Sequence, residues 1–248
     1  MKIVKTISAA ALAALCLSGC SNSSEDTLKM ITEATFPPYE FLRGQEIVGI
    51  DVEICRAVAK KLGKNFSAET VDFDSVIPAV ISGKADLAAA GITITEDRKK
   101  NVDFSDPYVK TGIVVVYKKA EGFAGVDWMK GKKIGVQGGT TSETYVLEKL
   151  GQEPERSRSP SEAVAALKAG RVDFVIADID PAKNCIKGES DLAISDFITS
   201  EEYAVAIRKG RPELLKAINE TIAEAKADGR LAKWIADYTA ESDSLKDD

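Results

Sequence analysis

The chain of 248 residues contains no histidine. That absence removes Ser-His-Asp and Cys-His nucleophile systems, histidine general bases and the histidine-based zinc motifs. Hydrolytic chemistry would have to run on carboxylates, lysine or tyrosine. Cysteine is scarce, with four residues in all, which excludes a disulfide-dense scaffold. No apolar run is long enough to span a bilayer. Positive charge is in deficit: the formal net charge is −6, which argues against a nucleic-acid partner. The length accommodates one large domain or two small ones.

Lys2 and Lys5 precede an apolar run from Ile7 to Leu17, the layout of a secretory signal. The run ends in Leu17-Ser18-Gly19-Cys20, which resembles the bacterial lipoprotein cleavage motif with Cys20 as the lipid-bearing residue. Residues 1–19 are therefore expected to be removed, with residues 20–27 as a flexible tether. Removal of Lys2 and Lys5 leaves the remainder more acidic still. Cys16 leaves with the signal. Cys55 and Cys185 each lie within or beside an apolar helical pattern and are expected as separate buried thiols.

The rest alternates between strand and helix patterns. Leu28 to Thr32 reads as a first strand, followed by a rigid loop with Pro37 and Pro38. A hairpin turn at Gly44 leads into Val48 to Ile54. A helix follows with Ile54, Ala57, Val58, Lys61 and Leu62 along one face, stopped by Gly63. Phe66 to Val71 is the next strand, and Phe73 is placed in the loop before a helix over Ser75–Ser82. Two segments match when Gly83 is aligned with Gly170. Each reads helix, Gly-basic-apolar-Asp turn, then a buried strand, Ala85–Ala90 in the first copy. Gly91 and Asp178 fall at equivalent strand ends. Ligands of open parallel sheets bind at carboxyl ends of strands, so two lobes of like construction could face each other across a cleft. The long apolar strands Val109–Lys118 and Ser200–Ile207 bracket the second lobe. If both cross between lobes they form a hinge. The last helices, Pro212–Ala227 and Arg230–Tyr238, then pack on the first lobe, with Trp234 in its core.

Two stretches carry chemistry. Ala90 to Arg98 reads as a strand end, a polar turn and a helix start. Arg98 lies one turn beyond Thr95, and its planar guanidinium fits a carboxylate. In the second lobe, strand Lys132–Val136 feeds Gln137-Gly138-Gly139-Thr140-Thr141-Ser142-Glu143 and a helix through Leu150. A glycine loop at a helix N-terminus exposes amides and partial positive charge. The cap is either Thr140 with Glu143 or Thr141 with Thr144. No Lys-Ser/Thr follows the glycines, so this is not a Walker loop.

In Gly49 to Leu62, Ala90 to Arg98, Val102 to Tyr108, Gly138 to Thr141 and Asp173 to Asp178, in this order, the chain resembles the extracellular solute-binding proteins of polar amino acid ABC importers. The likeness covers residues 28–240. It implies an α/β protein with two Rossmann-like lobes joined by a two-strand hinge, the type II periplasmic-binding-protein or Venus-flytrap fold. Lobe 1 would comprise 28–109 plus 204–248 and lobe 2 110–203, with the hinge near 108–112 and 199–203. Such a protein is non-catalytic, needs no cofactor or metal, and works as a monomer. It hands a free amino acid to membrane permease subunits, here from a lipid anchor at Cys20 facing the periplasm or the cell exterior. Carried over by position, Arg98 clamps the α-carboxylate with amides near Thr93 and Thr141 on the Thr140–Thr141 loop. Asp178, the Gly91 carbonyl and the Thr93 hydroxyl take the α-ammonium. Phe36 and Phe73 sandwich the side chain, and Glu33 and Gln137 read its far end.

An acid at position 33 between two aromatic faces favours arginine, then lysine. Glutamine-binding relatives often carry aspartate and lysine at the positions of Glu33 and Gln137, so this chain departs from them. The alternatives are a glutamine or cystine binder, a dehydratase acting on cyclic dienyl acids on the same fold, and a receptor's sensor module. For the dehydratase, Glu33 is the spare carboxylate that can be placed in the cleft.

Overall fold

A computed structural model describes residues 26–244. The signal segment, Cys20, the tether up to residue 25 and residues 245–248 lie outside that range. Two main sheets organise the chain. The first has the strand order Asn65–Thr70, Thr27–Thr32, Leu87–Ala88, Ala206–Arg208, Val102–Phe104, with its first three strands parallel. The second runs Glu155–Ser157, Ile134–Gln137, Phe174–Asp178, Val109–Lys118, Leu192–Ile194, and Thr199–Tyr203 also pairs with Val109–Lys118. A small antiparallel sheet of Thr35–Phe36, Glu40–Arg43 and Glu46–Val48 leans on the first. Apolar clusters cover the sheets: Val58, Leu87 and Ile218 belong to one and Val80 and Ala88 to another in the first lobe. In the second lobe, Val114 and Leu167 belong to one and Val115 and Ile134 to the other.

The sequence repeat is a structural repeat down to its hydrogen bonds. Helices Phe73–Ile81 and Pro160–Lys168 each end at a left-handed glycine, Gly83 at φ 79° and Gly170 at φ 70°. In both, the glycine and the basic residue after it return their amides to the last helical turn: Gly83 to Val80 and Lys84 to Ala79, Gly170 to Leu167 and Arg171 to Ala166. This closure satisfies carbonyls that a helix end leaves open. The aspartate that follows then clamps the neighbouring strand. Asp86 accepts the Lys29 amide at 3.0 Å and Asp173 the Lys133 amide at 2.8 Å. Their own amides bond back to the Lys29 and Lys133 carbonyls. Gly91 and Asp178 end the two copies at the carboxyl edges of their sheets.

The chain passes between the sheets at two adjacent places. Residues 105–108 link Val102–Phe104 to Val109–Lys118, and 204–205 link Thr199–Tyr203 to Ala206–Arg208. The crossings bond to each other through Ser105 N–H to the Val205 carbonyl and Tyr108 N–H to the Tyr203 carbonyl. The apolar run Ser200–Ile207, expected as one strand, is therefore two short strands in different sheets.

Other expectations are corrected locally. The helix expected to follow Val48 to Ile54 begins within that stretch and runs Ile50–Lys61. Gly49 stands at φ 133°, and a Cβ there would lie 2.1 Å from the Tyr39 carbonyl oxygen. The first helical amides, of Ile50 and Asp51, bond to the carbonyls of Pro38 and Tyr39. Asp51 and Glu53 in the first turn suit the positive end of the helix. Phe73 is the first residue of its helix rather than a loop residue. The strand expected over Ala85–Ala90 narrows to Leu87–Ala88, because the Asp86 clamp forms a turn at one end and Gly91 turns away at φ 53° at the other. The final helix extends to Ser244, with Trp234 partly buried against the first-lobe core. Cys55 is buried in helix Ile50–Lys61 and is not joined to Cys185, which lies partly buried in the second lobe.

Candidate functional site

Arg98 sits where the two lobes meet. Its helix, Glu96–Lys99, is capped by the Thr95 hydroxyl, which accepts the Arg98 amide at 3.2 Å. From there the guanidinium gives one bond to the Thr93 carbonyl at 2.8 Å and one to the Gly139 carbonyl of the opposite lobe at 3.1 Å. Its carbon lies 5.5 Å from the centre of the Phe73 ring. A guanidinium has five N–H donors, so it is fixed in place with donors to spare. Burial lowers its pKa, while the charges of Glu201 and Asp178 act in the other direction.

Asp178, 7% exposed, ends strand Phe174–Asp178 and accepts a 2.5 Å hydrogen bond from Tyr203 Oη. Burial first and the charge of Glu201 second push its carboxyl up to about 7. The Tyr203 hydroxyl and Arg98 pull it back down. Residues 92–94 pair with 202–204 on the crossing strand through Ile94 N–H to the Glu202 carbonyl and Ala204 N–H to the Ile92 carbonyl. This pairing sets Thr93 beside Glu201, and the Thr93 hydroxyl donates to Glu201 Oε2 at 2.6 Å. Gly91 abuts the Phe36 ring so closely that a Cβ would lie 2.6 Å from Phe36 Cε1.

Glu33 follows the first strand and is 6% exposed. It accepts from the Thr35 hydroxyl at 2.6 Å and, at the outer limit of 3.5 Å, from Gln137 Nε2 of the other lobe. Gln137 is anchored more firmly to the Arg158 carbonyl at 2.8 Å. Burial raises the Glu33 pKa, and nearby Asp72 adds to the rise, against the bonds from Thr35 and Gln137. In the glycine loop, Thr140 is the cap: its hydroxyl accepts the Glu143 amide and donates to the Gln137 carbonyl at 2.7 Å. Glu143 reaches back to the Gly139 amide at 2.6 Å. Thr141 opens the helix Thr141–Tyr145, which widens over Val146–Leu150 instead of continuing regularly.

The structure thus brings Arg98, Thr93, Gly139 and Thr140–Thr141 to one part of the interlobe surface, Asp178 and Gly91 to the strand ends, and Glu33 with Gln137 to another edge. Phe36 and Phe73 stack on different partners: Phe36 on Gly91, Tyr39 and Tyr203, and Phe73 beneath Arg98. A cavity of about 500 Å³ opens on the Thr141 side of Arg98, lined in part by Arg98, Gly139, Thr141, Tyr145 and Glu201, and neither phenylalanine ring lines it. Sequence reasoning missed Glu201, Tyr203, Tyr39 and Asp180. Tyr39 Oη donates to Asp180 Oδ2 across the lobes at 2.8 Å, next to a bond from Asn184 to the Pro37 carbonyl. The one signal available for Glu201 was its place two residues before Tyr203, on the same strand face, whereas its neighbour Glu202 falls on the other.

The family model for bacterial extracellular solute-binding proteins, family 3, matches residues 28–241. The arginine-binding extracellular protein ArtP of Bacillus subtilis (strain 168) is 36% identical over 231 residues, covering 89% of this chain and 90% of that protein. The L-cystine-binding protein TcyJ of Escherichia coli (strain K12) is 35% identical over 225 residues, covering 86% of this chain and 84% of that protein. Among solved structures, the amino acid ABC transporter substrate-binding protein AbpA of Streptococcus pneumoniae, bound to L-arginine, superposes with a TM-score of 0.81 at 34% identity over 89% of this chain and 97% of that one. With a matched model from end to end of the two lobes and relatives of this identity and coverage, the chain belongs to the bacterial extracellular solute-binding proteins, family 3.

Proposed function

We propose that the protein is the substrate-binding component of an amino acid ABC importer and that it takes a cationic amino acid, arginine before lysine, between its lobes. The observation that carries this reading is the charge layout: one partly buried cation, Arg98, faces Asp178 and Glu201, and a third acid, Glu33, lies at the far edge. A zwitterion answers the first group, with its carboxylate on the spare donors of Arg98 and the Thr141 end of the glycine loop. Its ammonium goes to Asp178, the Gly91 carbonyl and the Thr93 oxygen. Burial of any of these charges without a partner would cost several kcal/mol, on the order of 3–5. After that pairing Glu201 accepts the Thr93 hydroxyl behind the ammonium, and Glu33 is the acid left at the far edge, where a guanidinium or a side-chain ammonium answers it. Phe36 and Phe73 supply apolar walls for the stem. The relatives that bind arginine support the same assignment.

On this reading the protein is non-catalytic and is exported and anchored through Cys20. The crossings at 105–108 and 204–205 are the hinge. The bonds Tyr39–Asp180, Asn184–Pro37 and Arg98–Gly139 belong to the closed state that ligand favours. A thermal-shift screen against the standard amino acids, ornithine and cystine tests it. Ligand at about 100 times its Kd adds about 2.7 kcal/mol, which is a readily measured rise in Tm. Arginine is expected to give the largest shift. A shift with glutamine or cystine but none with arginine or lysine would overturn the specificity, and no shift with any amino acid would overturn the function. Acylation of Cys20 is read by mass spectrometry of the membrane fraction.

A further inference from the structure

Next to the strand end at Gly91, two carboxyls are buried together. Glu40 and Asp51 are both 0% exposed. Glu40 opens strand Glu40–Arg43, and Asp51 lies in the first turn of helix Ile50–Lys61. Asp51 Oδ2 accepts the Gly91 amide at 3.0 Å. Asp51 Oδ1, both Glu40 carboxyl oxygens and Tyr108 Oη lack any conventional partner, although Glu40 and Tyr108 both lie against Asp51. The charges acting most strongly on Glu40 are those of Asp51, Glu33 and Asp178, all of one sign. Two ionised carboxylates can only accept hydrogen bonds, and side by side in a dry interior they cannot both remain ionised.

We propose that Glu40 and Asp51 hold one proton between them, Glu40 as the neutral acid and Asp51 as the carboxylate, and that this pair positions Gly91. The proton stays on Glu40, whose O–H donates to Asp51. The assignment follows from the donors present. Asp51 accepts the Gly91 amide and lies against the Tyr108 hydroxyl, which can turn toward a negative charge, whereas neither Glu40 oxygen meets a donor. Burial accordingly lifts Asp51 to about 6 but Glu40 well above the usual carboxylate range. The pair holds Gly91 in a left-handed conformation against the Phe36 ring. Its importance for binding rests on the reading of the Gly91 carbonyl as a contact for the ligand ammonium. Glu40 and Asp51 are positioning residues and do not themselves touch the ligand.

Infrared spectroscopy of the full-length protein tests this directly. Free glutamate titrates near about 4.3, so a carboxylic-acid carbonyl band at about pH 8 marks a trapped proton. A component of that band is expected to vanish in Glu40→Gln. That variant replaces one neutral donor with another, so its Tm should match the parent's and its arginine affinity should stay within about threefold, whereas Glu40→Leu, which strands the Asp51 charge, should melt well below both. Asp51→Ala frees the Gly91 amide and should weaken arginine binding by about tenfold. An acid carbonyl region unchanged by Glu40→Gln, or a Glu40→Gln protein as damaged as Glu40→Leu, overturns the proposal. If the parent protein takes no arginine, the assigned ligand falls, while the infrared and melting measurements still decide the shared proton.

Discussion

The Thr93 hydroxyl gives its proton to Glu201, 2.6 Å away on the crossing strand. A hydroxyl whose hydrogen is committed in this way presents only lone pairs to its other neighbours. In the proposed site those lone pairs face an ammonium, so Glu201 orients Thr93 as an acceptor and adds negative charge behind it.

Glu201→Gln preserves an acceptor for Thr93 and deletes only the charge. Arginine affinity is expected to fall by about tenfold, roughly what one partly screened charge supplies at this range. Because the lost charge acts on the ammonium that every amino acid carries, glutamine affinity, if measurable, should fall by a similar factor. Glu33→Gln should instead penalise arginine and lysine selectively. Calorimetric titration of both variants with both ligands separates the two acids. Equal losses for every ligand in Glu33→Gln would remove Glu33 from the specificity end.

Proton linkage gives an independent reading of Asp178. Its carboxyl is pushed from 3.8 to about 7 in the folded protein. A raised folded pKa means that the folded state holds the proton more tightly than the unfolded chain. The stability it contributes is fully present below about pH 4 and is lost as pH rises through about 7. A ligand ammonium requires the ionised form, so binding acts with the opposite sign. Affinity should climb about tenfold per unit up to about pH 7 and then level off, with about one proton released per ligand bound below that point. Calorimetry in buffers of different ionisation enthalpy counts the proton. Asp178→Asn should bind weakly at every pH and release none.

The bond from Tyr39 to Asp180 joins residues 141 positions apart across the interlobe boundary. On the proposed closure of the lobes this bond forms in the closed state alone, and it would then bias the conformational equilibrium without selecting among ligands. Tyr39→Phe removes the hydroxyl and keeps the ring packed on Tyr203. A hydrogen bond to a charged group contributes about 1.5–3 kcal/mol, so arginine affinity should drop by at least about tenfold with the ranking of ligands unchanged. Small-angle scattering of the ligand-free variant should show a more open shape. A changed ligand ranking would instead place Tyr39 in the binding surface.

How far the sequence could be read followed from the range of the interactions. The repeat at Gly83 and Gly170 was legible because a helix stop, a clamp aspartate and a buried strand are all written within a few residues. The helix start at Ile50 was placed too late because what fixes it is distant: the Pro38 and Tyr39 carbonyls that receive its first amides. Arg98, Asp178 and Glu33 were visible as charges beside strand ends. Glu201 was not, since the adjacent acids Glu201 and Glu202 of one short strand read alike until the crossing strand is paired with residues 92–94. The same holds for Glu40, whose burial is set by helix Ile50–Lys61 lying over it. Whatever depended on how two separate elements meet had no local signature.

The contact between Gly91 and Phe36 provides the sharpest structural test of the cleft. Gly91 stands at φ 53°, where an L side chain is strained, and an added Cβ would lie 2.6 Å from Phe36 Cε1. Gly91→Ala must therefore accept about 1–2 kcal/mol of backbone strain and also displace the ring. For a domain of this size that corresponds to a fall in Tm of about 2–8 °C. If the Phe36 face is one wall of the ligand site, displacing it should weaken arginine by more than the loss of stability alone would suggest, because the bound and unbound states share the backbone strain while only the bound state needs the wall. Adding Phe36→Leu relieves the clash, so the double variant should regain part of its Tm without regaining affinity. Recovery of both together would mean that Phe36 supports the fold at Gly91 and forms no part of the binding surface.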